Sequence, residues 1–233
     1  MAVRPIFIPK SSDHVLVEEK QLKFDWFPGF AVSQKQKSIE ALHTEAKKHS
    51  IFPILEVSTK SMDPAGASFS AFRLKVEHSE LGFIPLECAF QGSKVFAHGG
   101  PYTDLYSVKP IEAKKDPRIK SSGLLEGFQF EGDFWNLIPQ SAFYDFLYLN
   151  SLRLNPDLIN VLLKYKAFSD IEFNPKKSIN CQARSCALAV SLKHRNNFES
   201  TISNKMLFLH YLTEHGYGKS KPSSNAQATL PFG

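Results

Sequence analysis

No stretch of the 233 residues approaches the ~18 consecutive apolar positions of a membrane-spanning helix. The opening "MAVRPIFIPK" lacks the apolar core of a secretory leader, so a cytoplasmic protein is expected. Cysteine is scarce and odd in number: Cys88, Cys181 and Cys186. None has zinc-knuckle spacing, and each lies in a segment that reads as helix. Buried thiols in a reducing compartment are expected, not a disulfide framework. The eight His are scattered, without HExxH or paired Cys/His spacing, so no metal site is expected. GxSxG, the P-loop and GxGxxG are missing too, and "AHGGPY" reads as a turn; no cofactor is expected. If the chain is an enzyme, its working groups are carboxylates and a lysine.

What is present is ordinary for a globular protein, with 42% hydrophobic and 22% charged residues. Phenylalanine is the exception, at 20 residues. So many rings make an aromatic core or line a pocket for a flat ligand. The net charge of +5 is compatible with a polyanionic partner without requiring one.

No repeat or interior linker divides the chain, so one α+β domain over residues 1–217 is expected, mostly helical with a small N-terminal β portion. "RPIFIP" reads as an edge strand between prolines, and "VLVEEKQLKFDW" as its partner. Ser33 is placed to cap the basic helix "QKQKSIEALHTEAKKHS", whose apolar stripe is Ile39, Leu42 and Ala46. "PILEVSTKS" and "SFSAFRLKVEH" read as strands around the loop "MDPAGA". Residues 97–123 read as an ordered loop with short helical turns. Helices follow in "PQSAFYDFLYLNSLRL", "PDLINVLLKYKAF", "SINCQARSCALAVSLKHR" (capped by Ser178) and "SNKMLFLHYLTEHG". From Gly218 on, the polar composition predicts disorder.

Three segments place polar groups in apolar settings. In "LECAFQGSKVF" one continuous helix would put Phe90, Gln91 and Lys94 at i+3, i+4 and i+7 from Glu87, all on one face. Asp145 lies among aromatic residues in "AFYDFLYL", where a carboxylate needs a partner. "FSDIEFNPKKSINCQARS" gathers Asp170, Glu172, Asn174, Lys176 and Lys177 before a helix carrying Asn180 and Arg184. Two lysines feeding a helix N-terminus suit an anion.

These segments also carry a family resemblance. "ECAFQGSKVF" resembles the EHxFQxxKF signature of the NADAR (YbiA-like) superfamily, and "SFSAF" looks like its SNF segment. With "STKS", "GGPYTDLY", "EAKKDPR", "AFYDFLYLN" and "AFSDIEFNPKKSINCQARS", the chain is similar to NADAR antitoxins paired with guanine-specific, DarT-type DNA ADP-ribosyltransferases. The resemblance runs from Val3 to Leu212. It implies removal of ADP-ribose from guanine bases of DNA, by cleavage of an N-glycosidic bond. It departs from the YbiA type at Cys88, where the signature has His, and at "EFNP", where it has WG. The runners-up are a YbiA-like glycosidase acting on a riboflavin-pathway intermediate and a non-catalytic module binding single-stranded DNA or the toxin.

On that resemblance Glu87, Lys94, Asp170, Glu172 and Asp145 are the catalytic candidates. A carboxylate could stabilise an oxocarbenium ion or activate water, or a lysine could attack the anomeric carbon. Ser58, Lys60, Gln91, Asn174 and Asn180 would line the ligand, with Lys176, Lys177 and Arg184 on the diphosphate. Phe90, Tyr102 and Trp135 are candidates to stack on a base. Finally, Gln227, Leu230 and Phe232 in the tail read Q-x-x-L-x-F. This resembles the short peptide with which bacterial DNA polymerases and repair proteins hold the sliding clamp.

Overall fold

Alternating apolar positions fold the N-terminus into an antiparallel pair, β1 (Ala2–Pro9) and β2 (Val17–Phe24), and the rest of the chain alternates between α and β. The computed structural model describes residues 1–12, 14–175 and 178–217. In chain order there follow α1 (Val32–Lys48), β3 (Ile54–Glu56), α2 (Pro64–Ser68), β4 (Lys75–His78), β5 (Gly82–Pro85), α3 (Leu86–Gly92) and β6 (Lys94–Phe96). After a 3-10 turn come α4 (Pro110–Lys115), α5 (Arg118–Ser121), β7 (Leu125–Phe130), β8 (Asp133–Asn136) and α6 (Ala142–Arg153). The last elements are α7 (Pro156–Leu162), β9 (Ala167–Ser169), α8 (Gln182–His194), α9 (Phe198–Ile202) and α10 (Lys205–Glu214). The class is α+β, as expected, though strands recur well beyond the N-terminus. No helix among the described residues is long and apolar enough to cross a membrane.

The chain forms two compact units. The first comprises Met1–Ser70, Leu152–Asn174 and Cys181–Thr201. Its four-stranded sheet has the order β2-β1-β9-β3. β1 is therefore interior, not the expected edge. Its contact with β9 is the single pair Phe7↔Phe168, so the missing N–H groups of Pro5 and Pro9 fall outside that short ladder. Helix α1 packs on β2 and buries the expected Ile39, Leu42 and Ala46 against Ile6, Leu22 and Phe24. Ser33 does not cap it, because the helix already begins at Val32, after Ala31. "MDPAGA" is a short helix rather than a loop: Asp63 Oδ1 accepts from Ala65 N at 2.9 Å and Pro64 takes the first position.

The second unit comprises Ala71–Ser151, Pro175–Asn180 and Ile202 onward. It holds the hairpin β4-β5 and the sheet β6-β7-β8. Its core answers the question of the phenylalanines. Phe128 stacks on Phe143 at 4.7 Å, Phe90 meets Tyr144 at 5.1 Å, and Trp135 packs on Phe143 and Phe146 at 5.5 and 4.8 Å. These rings fill an interior.

Three further expectations change. "SFSAF" does not extend β4. Ala167 and Phe168 leave their expected helix and, with Ser169, become β9, which pairs in parallel with β3. The helix expected to start at Ser178 starts at Gln182, with Cys181 at its cap position, so Asn180 and Arg184 do not share a helix. Lys176, Lys177 and the tail lie outside the described residues.

Candidate active site

Helix α3 spans seven buried residues. Glu87 sits in its first turn, its backbone N–H held by the Ala71 carbonyl at 3.1 Å. Gln91, one turn on, donates from Nε2 to Glu87 Oε1 at 2.9 Å, as the i,i+4 spacing predicts. Gln91 Oε1 is buried and has no hydrogen-bond partner among the described residues. This acceptor is available to a ligand N–H or O–H.

The helix does not continue to Lys94. A Cβ on Gly92 would fall 2.5 Å from the Tyr106 ring, and Tyr102 N–H binds the Gly92 carbonyl at 2.7 Å. Ser93 then turns back, its hydroxyl donating to Ala89 O at 2.6 Å. Lys94 opens β6 opposite Phe128. It still joins the cluster: its ammonium stands 4.9 Å from the centre of the Phe90 ring. Only 8% of Lys94 is exposed, and no carboxylate within the described residues forms an ion pair with it. Burial drives its pKa down to about 8. Glu87 opposes the shift, and the ammonium of Lys114 adds to it. A lysine so placed has an appreciable free-amine fraction near neutral pH. Burial also pushes the neighbouring Cys88 thiol up to about 11, so it is an inert packing group that donates to Val108 O at 3.2 Å.

Other candidates in this unit have different surroundings. Asp145 is buried and accepts from Ser141 Oγ at 2.6 Å and Tyr217 Oη at 3.1 Å, which offsets the cost of its burial. Trp135 is 2% exposed. Tyr102 is half-buried, hydrogen-bonded to Ser122, with the Arg118 guanidinium 4.4 Å from its ring centre. Asn180 is half-buried, and its carbonyl accepts from Ser178 Oγ at 3.2 Å.

In the first unit a second buried acid network surrounds a residue that sequence reasoning passed over. Glu56 ends β3, and its Oε1 accepts from Ser58 Oγ at 2.7 Å and from Ile171 N at 2.8 Å. Ser169 Oγ lies 2.6 Å from Oε2 and 2.8 Å from His43 Nε2. Asp170 follows, its Oδ1 accepting from Glu172 N and Phe173 N at 3.0 and 3.2 Å, and its Oδ2 from Gln182 Nε2 at 3.4 Å. Burial, together with the charge of Asp170, raises the Glu56 carboxyl to about 8. Burial raises Asp170 as well, against the pull of its hydrogen bonds. His43 goes the other way, its burial lowering it to about 4. Ser58 also accepts from Lys60 N at 3.2 Å, so "STKS" folds around this acid. Glu172 is exposed and pairs with Lys35 at 3.4 Å. Asn174 and Arg184 are half-buried.

The structure thus presents an α+β protein in which one buried carboxylate and one desolvated amine share a seven-residue helix and the strand after it. The description "DarT1-associated NADAR antitoxin" belongs to the family model that matches residues 2–222, and the chain belongs to this family. A search of curated proteins returned no match.

Proposed function

We propose that this protein hydrolyses the N-glycosidic bond joining ADP-ribose to a guanine base of DNA, and so reverses the modification made by a DarT-type toxin. The observation that carries this reading is the Glu87–Gln91–Lys94 cluster within a chain of this family. The cluster couples one carboxylate to one amine of lowered pKa, rather than two carboxylates. That favours nucleophilic catalysis by Lys94 over the two-carboxylate scheme of most glycosidases. In this mechanism the free Lys94 Nζ attacks the anomeric carbon as the bond to guanine breaks. Guanine leaves with a proton, and the ribosyl–lysine adduct opens to a Schiff base. Water then releases ADP-ribose and restores the amine. Glu87 stabilises positive charge at the anomeric carbon, and Gln91 fixes its orientation.

The test is incubation with a single-stranded oligonucleotide bearing one ADP-ribosylated guanine. Wild type should release ADP-ribose, and Glu87→Gln should lose roughly 10²–10⁴-fold in rate while keeping its melting temperature. Wild-type turnover by that variant removes Glu87 from the mechanism. Release from a ribosylated aminopyrimidine phosphate, and not from DNA, would transfer the chemistry to the small-molecule reading.

The tail adds a partner to this proposal. Gln227 would set register on a sliding clamp, with Leu230 and Phe232 as two apolar anchors and Pro231 holding the peptide extended. A Gln227–Gly233 peptide should bind a bacterial clamp with micromolar affinity, and replacing Leu230 and Phe232 by alanine should abolish binding. No binding at hundreds of micromolar would remove the clamp from the list of partners.

A further inference from the structure

Residues 109–120 carry five cations, Lys109, Lys114, Lys115, Arg118 and Lys120, against two acids, Glu112 and Asp116. Both acids are engaged locally. Glu112 accepts from Lys109 N at 3.1 Å. Asp116 is held by the Arg118 backbone N–H and guanidinium at 2.9–3.0 Å, and the same guanidinium holds Asp104 at 2.6 Å. The four lysines are exposed, and none forms an ion pair among the described residues. With Glu112 among them, they form a patch of net positive charge on α4, the residue before it, and α5.

The patch adjoins the cluster that carries the chemistry. Helix α4 packs directly on α3, the helix of Glu87 and Gln91, with Ala113 buried against Cys88. Lys114 stands 5.7 Å from the centre of the Phe72 ring, which is 36% exposed. An exposed ring beside unpaired ammonium groups has the composition of a single-strand platform: phosphates on the cations, a base on the ring.

Resting on the function proposed above, we propose that α4 and α5 hold the DNA strand flanking the modified guanine, with its phosphates on Lys109, Lys114, Lys115 and Lys120 and a neighbouring base on Phe72. The protein then recognises not only the ADP-ribosyl group but the strand that bears it. Polymeric substrate is selected over free nucleosides by charge, and recognition of the flanking strand is independent of its sequence.

The experiment uses the full chain with Lys109, Lys115 and Lys120 replaced by serine. Lys114 is kept because its charge reaches Lys94. Two readouts are taken: kcat/KM on the ADP-ribosylated oligonucleotide and on ADP-ribosylated guanosine, and anisotropy of an unmodified single-stranded oligonucleotide. The triple variant should raise KM on the oligonucleotide about tenfold at low salt. It should make the dependence of log Kd on log salt shallower by about 2, since each phosphate contact on a single strand contributes about 0.7. Turnover of the modified guanosine should stay within about twofold. Unchanged KM, oligonucleotide affinity and salt slope would overturn the proposal. If wild type cleaves neither substrate, the functional reading fails, while the anisotropy still decides whether this surface holds DNA.

Discussion

Lys94→Met should abolish turnover and at the same time stabilise the fold. The two effects share one cause. Lys94 is 8% exposed, with the Phe90 ring beside its ammonium, and burial takes its pKa from 10.5 down to about 8. A depressed amine pKa means that the folded state binds fewer protons than the unfolded chain. Stability then rises as pH climbs from about 8 to 10.5, and below about 8 the protein bears the full cost of the buried charge. Methionine has a similar shape and no charge, so removing that cost should gain on the order of 1–3 kcal/mol at pH 7. Turnover should fall on the order of 10³-fold or more, because neither Glu87 nor Gln91 can form the Schiff base that Lys94 forms in this mechanism. In wild type kcat/KM should rise about tenfold per pH unit and level off near pH 8, as the free amine fills. Borohydride added during turnover should trap an adduct on wild type and none on the variant. Lys94→Arg separates the alternatives. It keeps a cation but offers no nucleophile, so substantial activity in it would reduce Lys94 to an electrostatic role.

The site was legible where it is local and illegible where it is not. The contact between Glu87 and Gln91 follows from helical spacing alone, and the structure reproduces it. Lys94 lies on a strand and not on the helix that spacing predicts. The pattern of residues 86–96 fits a helix, but the strand that captures Lys94 is β7, some thirty residues later, and the close approach of Tyr106 at Gly92 ends the helix first. Long-range pairing likewise takes Ala167 and Phe168 out of a helix and places β1 inside a sheet. Periodicity cannot report such pairings, because a three-residue strand completes too little of any period. The α+β class, the stripe of α1 and the short helical turns between Gly99 and Gly123 were readable because propensity and pattern agree there.

Glu56→Ala should cost on the order of 3–5 kcal/mol. Glu56 was passed over because an acid between Leu55 and Val57 looks like an outward-facing strand residue. Its partners come from far along the chain, Ser169 being 113 positions away. Truncation strands the buried Ile171 N–H and the Ser58 hydroxyl, and leaves the Ser169 hydroxyl with His43 alone. Glu56→Gln should instead be tolerated. The amide oxygen keeps the bonds from Ser58 and Ile171, and the amide nitrogen donates to Ser169 Oγ, which turns its own proton to the neutral His43. The conservative variant also isolates a pH effect. A carboxyl raised to about 8 binds its proton more tightly folded than unfolded, so it adds stability below the ordinary carboxylate range and loses it as pH rises toward 8. Asp170, also raised, acts in the same direction at lower pH. His43, lowered to about 4, acts in the opposite direction but only up to its ordinary 6.5, and Lys94 begins to act only near 8. Between pH 6.5 and 8 the Glu56 contribution therefore stands clear of theirs. Wild-type melting temperature should fall across that window, and in Glu56→Gln the fall should vanish. A wild-type curve that is flat or rising there would mean that Glu56 is ionised in the folded protein and that its hydrogen bonds, not its proton, hold β3 to the turn after β9.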